Sequence, residues 1–313
     1  MLLTHIQKRS LFYLGFISLI VSITYRTSLA QTPQKEKSVA AYVLLDSVVV
    51  QPGLDIQYFI DLMKDDQSLY RSFASLRTVP YTASYNMQFL DKKGVAQASL
   101  IAKGVQDCDS KCCEHRLKRS WGFGNLMTKS GDYNYYTAVL FHRLFLKEDS
   151  YCNQNIDDIE ELNISDEEQT HVRYLKQLIF QPGVALDIPV FGHQTDIFSK
   201  DHFKKYKFFF SERSMDSERY YVFNAVLRQD ETLPIQYLET WFSKEDRQIV
   251  KRNFHIKTSN WIYKADVIMN IELQPLDNRY IPREISYFGR WDIPGSKEEN
   301  GNFKILINPI KDD

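Results

Sequence analysis

Residues 81–89 read YTASYNMQF, in which Tyr81, Ala83, Tyr85, Met87 and Phe89 alternate without a fault with Thr82, Ser84, Asn86 and Gln88. Successive side chains of a strand point to opposite faces, so a period of two with apolar residues on one side marks a half-buried strand. Asp91-Lys92-Lys93-Gly94 follows as a turn, and 95–105 returns as a partner strand. Such a turn-linked pair is antiparallel. The fold is therefore expected to rest on an antiparallel sheet with one greasy face.

On the N-terminal side, Ile56, Phe59, Ile60, Met63, Tyr70 and Phe73 fall at helical spacing, which predicts one amphipathic helix over 55–77 or two with a break near Asp65-Asp66. Before it, AYVLLDSVVVQPG (41–53) reads as a short strand stopped by Pro52-Gly53, and QTPQKEKSVA (31–40) as a polar leader. Lys8 and Arg9 precede an apolar run from Leu11 to Ile23, and Ser28-Leu29-Ala30 offers small residues for cleavage. This is the pattern of a secretory signal peptide, with an apolar run well short of the ~20 residues of a spanning helix. The expected organisation is signal peptide 1–30, leader and short strand 31–53, and one domain over 54–310.

On the C-terminal side, 118–128 and 134–147 are expected to form a second hairpin around Ser130-Gly131-Asp132. SDEEQTHVRYLKQLIF (165–180) opens with Ser165 and Glu168 at capping-box spacing and predicts a helix ended by Pro182-Gly183. Strands then follow at 203–213, 219–228, 234–242, 246–258, 262–274, 279–290 and 302–308. In IYKADVIMNIEL (262–273), Tyr263, Ala265, Val267, Met269, Ile271 and Leu273 share one face. The 19 Tyr, 20 Phe and 4 Trp of the chain suit strands better than helices. The expected class is mainly β (α+β): one large curved antiparallel sheet, its concave side covered in part by an N-terminal and an inserted helix.

Three of the 39 basic residues and no acid lie in the first thirty positions, so the expected mature chain carries 36 basic against 40 acidic residues. That balance argues against nucleic acid as a partner. In an oxidising compartment, the four cysteines Cys108, Cys112, Cys113 and Cys152 read first as disulfides. A bridge between the adjacent Cys112 and Cys113 is geometrically strained, which leaves two pairings, each joining one of them to Cys152. A zinc site built on Cys108, Cys112 and His115 lacks a fourth ligand at suitable spacing, so no metal is expected.

The chain contains no HExxH, GxSxG or phosphate-loop motif, and its histidines form no i,i+4 pair, so each reads as a surface or strand residue. No catalytic residue and no cofactor is expected. A carrier or binding module would use the concave face, with Tyr81, Tyr85, Met87, Phe89, Tyr263, Val267, Met269 and Ile271 lining a cavity for an acyl chain or lipidated protein. The same residues would serve equally as a collapsed core. An envelope interaction protein would instead use the aromatic loop FGRWDIPG (288–295), with Phe288, Arg290 and Trp291 as anchors for a partner such as an outer-membrane protein.

The order of signal peptide, helix, long meander, inserted helix and further meander resembles the LolA/LolB-like periplasmic lipoprotein carriers. More specifically, FASLRTVPYTASYNMQFLDKKG, DYNYYTAVLFHRLF and IYKADVIMNIELQPLDNRYIPREISYFGRWDIP are similar to segments of exported Bacteroidota proteins. The resemblance covers about residues 42–296. It implies a half-open barrel that holds acyl chains under its helices and a periplasmic or outer-membrane-associated location, and the family itself offers no established activity.

Overall fold

The computed structural model describes residues 56–152, 177, 179–186, 192–259, 264–292 and 297–310. All of these lie in one compact unit, Val48–Asp313. The expected signal peptide, leader and 41–53 strand, Tyr263 and most of the helix expected at 165–180 fall outside the described residues.

The expected N-terminal helix is two: α1 (Ile56–Lys64) and α2 (Ser68–Leu76). The break falls at the acidic pair, where Asp66 Oδ1 accepts from the Ser68 backbone N–H at 3.0 Å. An Asp side chain that captures a nearby backbone N–H offers the chain an alternative to a continuous helix. Phe59, Ile60, Met63 and Leu69 from the two helices are buried in the main core.

Eleven strands form one antiparallel sheet: β1 (Tyr81–Leu90), β2 (Ala96–Cys108), β3 (Cys113–Gly124), β4 (Asp149–Tyr151), β5 (Tyr206–Met215), β6 (Glu218–Leu227), β7 (Ile235–Ser243), β8 (Ile249–Ser259), β9 (Lys264–Leu276), β10 (Arg279–Asp292) and β11 (Glu299–Pro309). Their spatial order is β4-β3-β2-β1-β11-β10-β9-β8-β7-β6-β5. Two meanders are thus joined where the first strand pairs with the last, Tyr81 opposite Pro309 and Phe89 opposite Gly301. Among the described residues the end strands β4 and β5 do not pair with each other, so the sheet curls around one core without closing.

Local chemistry explains the turns. Asp91 Oδ1 accepts from the Lys93 and Val95 N–H groups at 2.8 and 2.9 Å, closing the β1–β2 turn. Asp216 and Ser217 both have positive φ, 50° and 71°, which is the two-residue hairpin geometry that matches strand twist. Among the described residues, no helix is long and apolar enough to cross a membrane.

The second hairpin is not where the sequence reading put it. β3 begins at Cys113, inside the cysteine cluster, and pairs with β2 from Cys108↔Cys113 to Ala98↔Gly124. The segment expected to return as a strand is instead α3 (Tyr136–Phe141), continued by a π-helical turn (His142–Leu146). Its aromatic content suits a strand, but Ala138, Phe141 and Phe145 recur at helical spacing on the side that meets the core. The FGRWDIPG stretch is also no loop as far as it is described, because β10 runs on through Asp292.

The cysteines pair as Cys108–Cys113 and Cys112–Cys152, and all four are bridged. The first bridge closes the β2–β3 turn, and the second ties that turn to the residue after β4. Removing the second with Cys112→Ser/Cys152→Ser opens a loop of sequence separation 40. The expected loss is about 3 kcal/mol, read as a lower denaturant midpoint.

Candidate ligand-binding face

Antiparallel pairing places same-face residues of neighbouring strands side by side, so the alternating stripes of single strands merge into rows that cross the sheet. One row runs Leu100–Met87–Phe303–Tyr287–Met269–Phe254–Leu238–Ala225–Phe208, from β2 to β5. The next runs Ala102–Tyr85–Ile305–Ile285–Ile271–Arg252–Thr240–Phe223–Phe210. A third contains Phe89 and Val267, joined through Gly301 and Gly289. Met87 and Met269, Tyr85 and Ile271, and Phe89 and Val267, on strands three steps apart, therefore share rows on one inner face, while Tyr81 lies beyond these rows opposite Pro309. Tyr81, Tyr85, Met87, Phe89, Val267, Met269 and Ile271 are each no more than 7% exposed.

Short helical pieces cover this face and place aromatic rings on the rows. Phe59 of α1 lies 4.6 Å from Phe210 and 5.2 Å from Phe242. Phe141 of α3 stacks on Phe303 at 4.0 Å with an interplanar angle of 6°. Tyr135, just before α3, stacks on Phe89 at 3.9 Å. Aromatic contacts of this kind add about 0.5–1.5 kcal/mol each to the area they bury.

Polar groups latch the cover to the sheet. The Glu299 carboxylate on β11 is buried and accepts from the Tyr136 N–H at 2.5 Å, the Thr137 N–H at 2.9 Å and the Thr137 hydroxyl at 2.5 Å, at the start of α3. Gln106 of β2 donates to the Leu76 and Val79 carbonyls at 2.8 and 2.7 Å, which fixes the end of α2. Arg252 on β8 is 2% exposed; it donates to the Phe180 carbonyl at 3.1 Å and faces Asp66 Oδ2 at 3.5 Å. Burial pulls the Arg252 pKa down, and Asp66 opposes that shift. Among the described residues, the Arg252 Nε and the hydroxyl of its register partner Thr240 are buried without hydrogen-bond partners. This is the one polar step in the second row between Ile271 and Phe223.

A second polar group sits at the other side of the sheet. His115 on β3 is buried, with Nε2 3.0 Å from the Tyr85 hydroxyl and Nδ1 3.2 Å from the Lys147 carbonyl. The carbonyl can only accept, so Nδ1 carries the proton and Nε2 accepts from Tyr85. Gly104 makes room for the ring, since a Cβ there would lie 2.7 Å from His115 Nε2. The sequence reading placed His115 on the surface or in a strand; the strand is right, but the ring faces inward. Its pairing with Tyr85 depends on the β2–β3 register and left no local signal.

Burial lowers the pKa of His115, with the Lys147 carbonyl and Glu148 opposing, and burial likewise lowers that of His142. Unfolded, both rings titrate near 6.5. Below that pH the unfolded chain binds more protons than the folded one, so stability is retained above about pH 6.5 and lost as pH falls toward the folded values. The loss is expected to reach at most ~1.4 kcal/mol per pH unit for each ring. His115→Gln should flatten the slope of stability against pH in urea titrations, whatever it costs at neutral pH.

The three residues singled out for an envelope interaction do not share one face. Phe288 is 40% exposed on the outer face and Arg290 lies 3.7 Å from Glu298, whereas Trp291 turns inward, its indole N–H donating to the Tyr287 hydroxyl. Alternation along β10 separates them, because 288 and 290 share one face and 291 the other.

Neither a family model nor a curated protein matches the chain. Among solved structures it is similar to a LolA superfamily protein from Nitrosomonas europaea, at 8% identity over 79% of this chain and 93% of that one, with a TM-score of 0.22. A DUF1329 family protein from Desulfovibrio piger matches at 11% identity over 78% and 92%, with a TM-score of 0.22. Lipovitellin matches at 12% identity over 75% of this chain and 26% of its own, with a TM-score of 0.27. These likenesses carry no argument about function.

Proposed function

We propose that the protein is a non-enzymatic binding or carrier protein of the cell envelope for a hydrophobic, acyl-bearing ligand, a free lipid or a lipidated protein. The observation that supports this best is the form of the inner face: one apolar row runs unbroken across nine strands and a second is interrupted by Arg252 and Thr240, under a cover of short helices latched by a few polar contacts. Such a cover can separate from the sheet at the cost of those latches, whereas a second sheet could not. Tyr81, Tyr85, Met87, Phe89, Tyr263, Val267, Met269 and Ile271 would then contact the acyl chain. The signal-peptide pattern of residues 1–30 supports a periplasmic or outer-membrane-associated location.

A second reading draws on the near-complete burial of the seven described residues of that set. In it the face is a filled core, and the protein acts in the envelope through exposed outer-face residues such as Phe288 and Arg290. Native mass spectrometry of protein prepared from a periplasm without detergent, followed by solvent extraction, separates the two. A co-purifying acyl species released on denaturation is the result expected for a carrier. A bare mass in every preparation, with no uptake of added fatty acid or lipopeptide, sinks the carrier reading in favour of the filled core.

A further inference from the structure

We infer that the distal half of the β2–β3 hairpin is a docking surface for an anionic lipid membrane. Trp121 and Phe123 on β3 are 56% and 66% exposed, and Ile101, the register partner of Trp121 on β2, is 50% exposed. Beyond His115 this strand has no neighbour on its outer side among the described residues, because β4 pairs only with Cys113–His115. From Lys118 to Gly124 it is exposed on both faces. A large exposed apolar group rimmed by charge marks an interaction site rather than incidental exposure.

The charge around these rings identifies the partner. Residues 116–129, RLKRSWGFGNLMTK, hold four basic residues and no acid, in a chain with more acids than bases. Arg116 is paired with Asp107 at 3.0 Å, but among the described residues no carboxylate lies within ion-pair distance of Lys103, Lys118, Arg119 or Lys129. Lys103 and Arg119 are register partners, two residues along from Ile101 and Trp121, so the cations flank the aromatic rings. Tryptophan and phenylalanine beside unpaired cations suit the membrane interface, where rings enter the headgroup level and lysine or arginine meets anionic lipid. A second copy of the chain is the poorer occupant, since it would bring the same unpaired cations together. A strand exposed on both faces also suits a fluid surface better than an acidic protein side chain.

This inference does not depend on the carrier reading. Its test is co-sedimentation of the protein, purified as cells make it, with phosphatidylcholine vesicles that either contain or lack phosphatidylglycerol. Binding is expected only where phosphatidylglycerol is present, weakening with added salt. It should fall ~10-fold or more in Trp121→Ser/Phe123→Ser and about 5-fold for each of Lys103→Gln and Arg119→Gln. All four side chains face solvent, and an unchanged thermal melt of each variant excludes misfolding. Failure of the unaltered protein to bind, binding indifferent to these substitutions, or self-association or capture of an acidic protein through Trp121 in place of lipid would overturn it.

Discussion

Asp66→Ala is expected to destabilise the protein by about 4 kcal/mol, as a large drop in urea midpoint, although it removes only one small side chain between two helices. The reason lies across the core at Arg252. That guanidinium is 2% exposed and has two partners, the Phe180 carbonyl and Asp66. Deleting the carboxylate leaves a cation buried without its counter-charge, which costs about 3–5 kcal/mol in comparable pairs. The Ser68 N–H loses its acceptor as well. Arg252→Met in the same chain should restore most of the loss, because two charges replaced by an apolar group of similar volume are often neutral or better. If Asp66→Ala alone is within about 1 kcal/mol of the parent, the pair does not latch the α1–α2 cover as argued. Hydrogen exchange across Ile56–Leu76 should speed up in the single variant and recover in the double.

Glu299→Ala is expected to cost a similar amount, about 4 kcal/mol, by a different route. Three donors at the start of α3 converge on this carboxylate, two of them backbone N–H groups that a helix cannot satisfy internally. A hydrogen bond to a charged group contributes about 1.5–3 kcal/mol, and a buried donor left bare costs about 1–3 kcal/mol. Because the losses share one site they do not simply add. Glu299→Gln keeps one acceptor oxygen and should lose about half as much. Amide exchange over Tyr136–Phe141 is the direct readout: protection there should collapse in the alanine variant while that of β9 and β10 holds. Equal protection in variant and parent would mean that packing of Phe141 on Phe303, not the carboxylate, places the helix.

Much of the fold is legible from local pattern. The period-two runs at 81–89 and 262–273, the Asp91 turn and the Asp216-Ser217 turn place strands and hairpins within a few residues, because neighbouring strands of a meander pair with what is adjacent in sequence. The break between α1 and α2 is legible for the same reason. The start of β3, the continuation of β10 through Asp292 and, most of all, the segment 134–147 are exceptions. The aromatic residues of that segment favour a strand by propensity, and the helix it forms is held by Glu299, more than 160 residues away.

The candidate site divides in the same way. Alternation alone identifies Met87 and Met269 as inward-facing residues. That they lie in one row depends on β1 pairing with β11, which no local pattern announces. Arg252 gave no signal, and His115 drew notice only as a candidate zinc ligand and not as a partner of Tyr85, because a lone charged or titratable side chain in a strand looks the same in sequence whether it meets solvent or a partner across the core. Trp121 and Phe123 show the converse, apolar rings left outside where β3 outruns the strands that would cover it.

By itself, then, the sequence determined most of the described strands, the α1–α2 break, the turn chemistry, the alternation that turns β1 and β9 residues inward and the limit of two cysteine pairings. Each depends on side-chain periodicity or backbone geometry over a few residues. Tertiary structure alone decided that Cys112 meets Cys152, that the first strand closes onto the last, that residues 136–141 are a helix, and which buried charges find partners. Those outcomes are set by contacts between residues tens to hundreds of positions apart, whose free energy exists only once the whole sheet has formed.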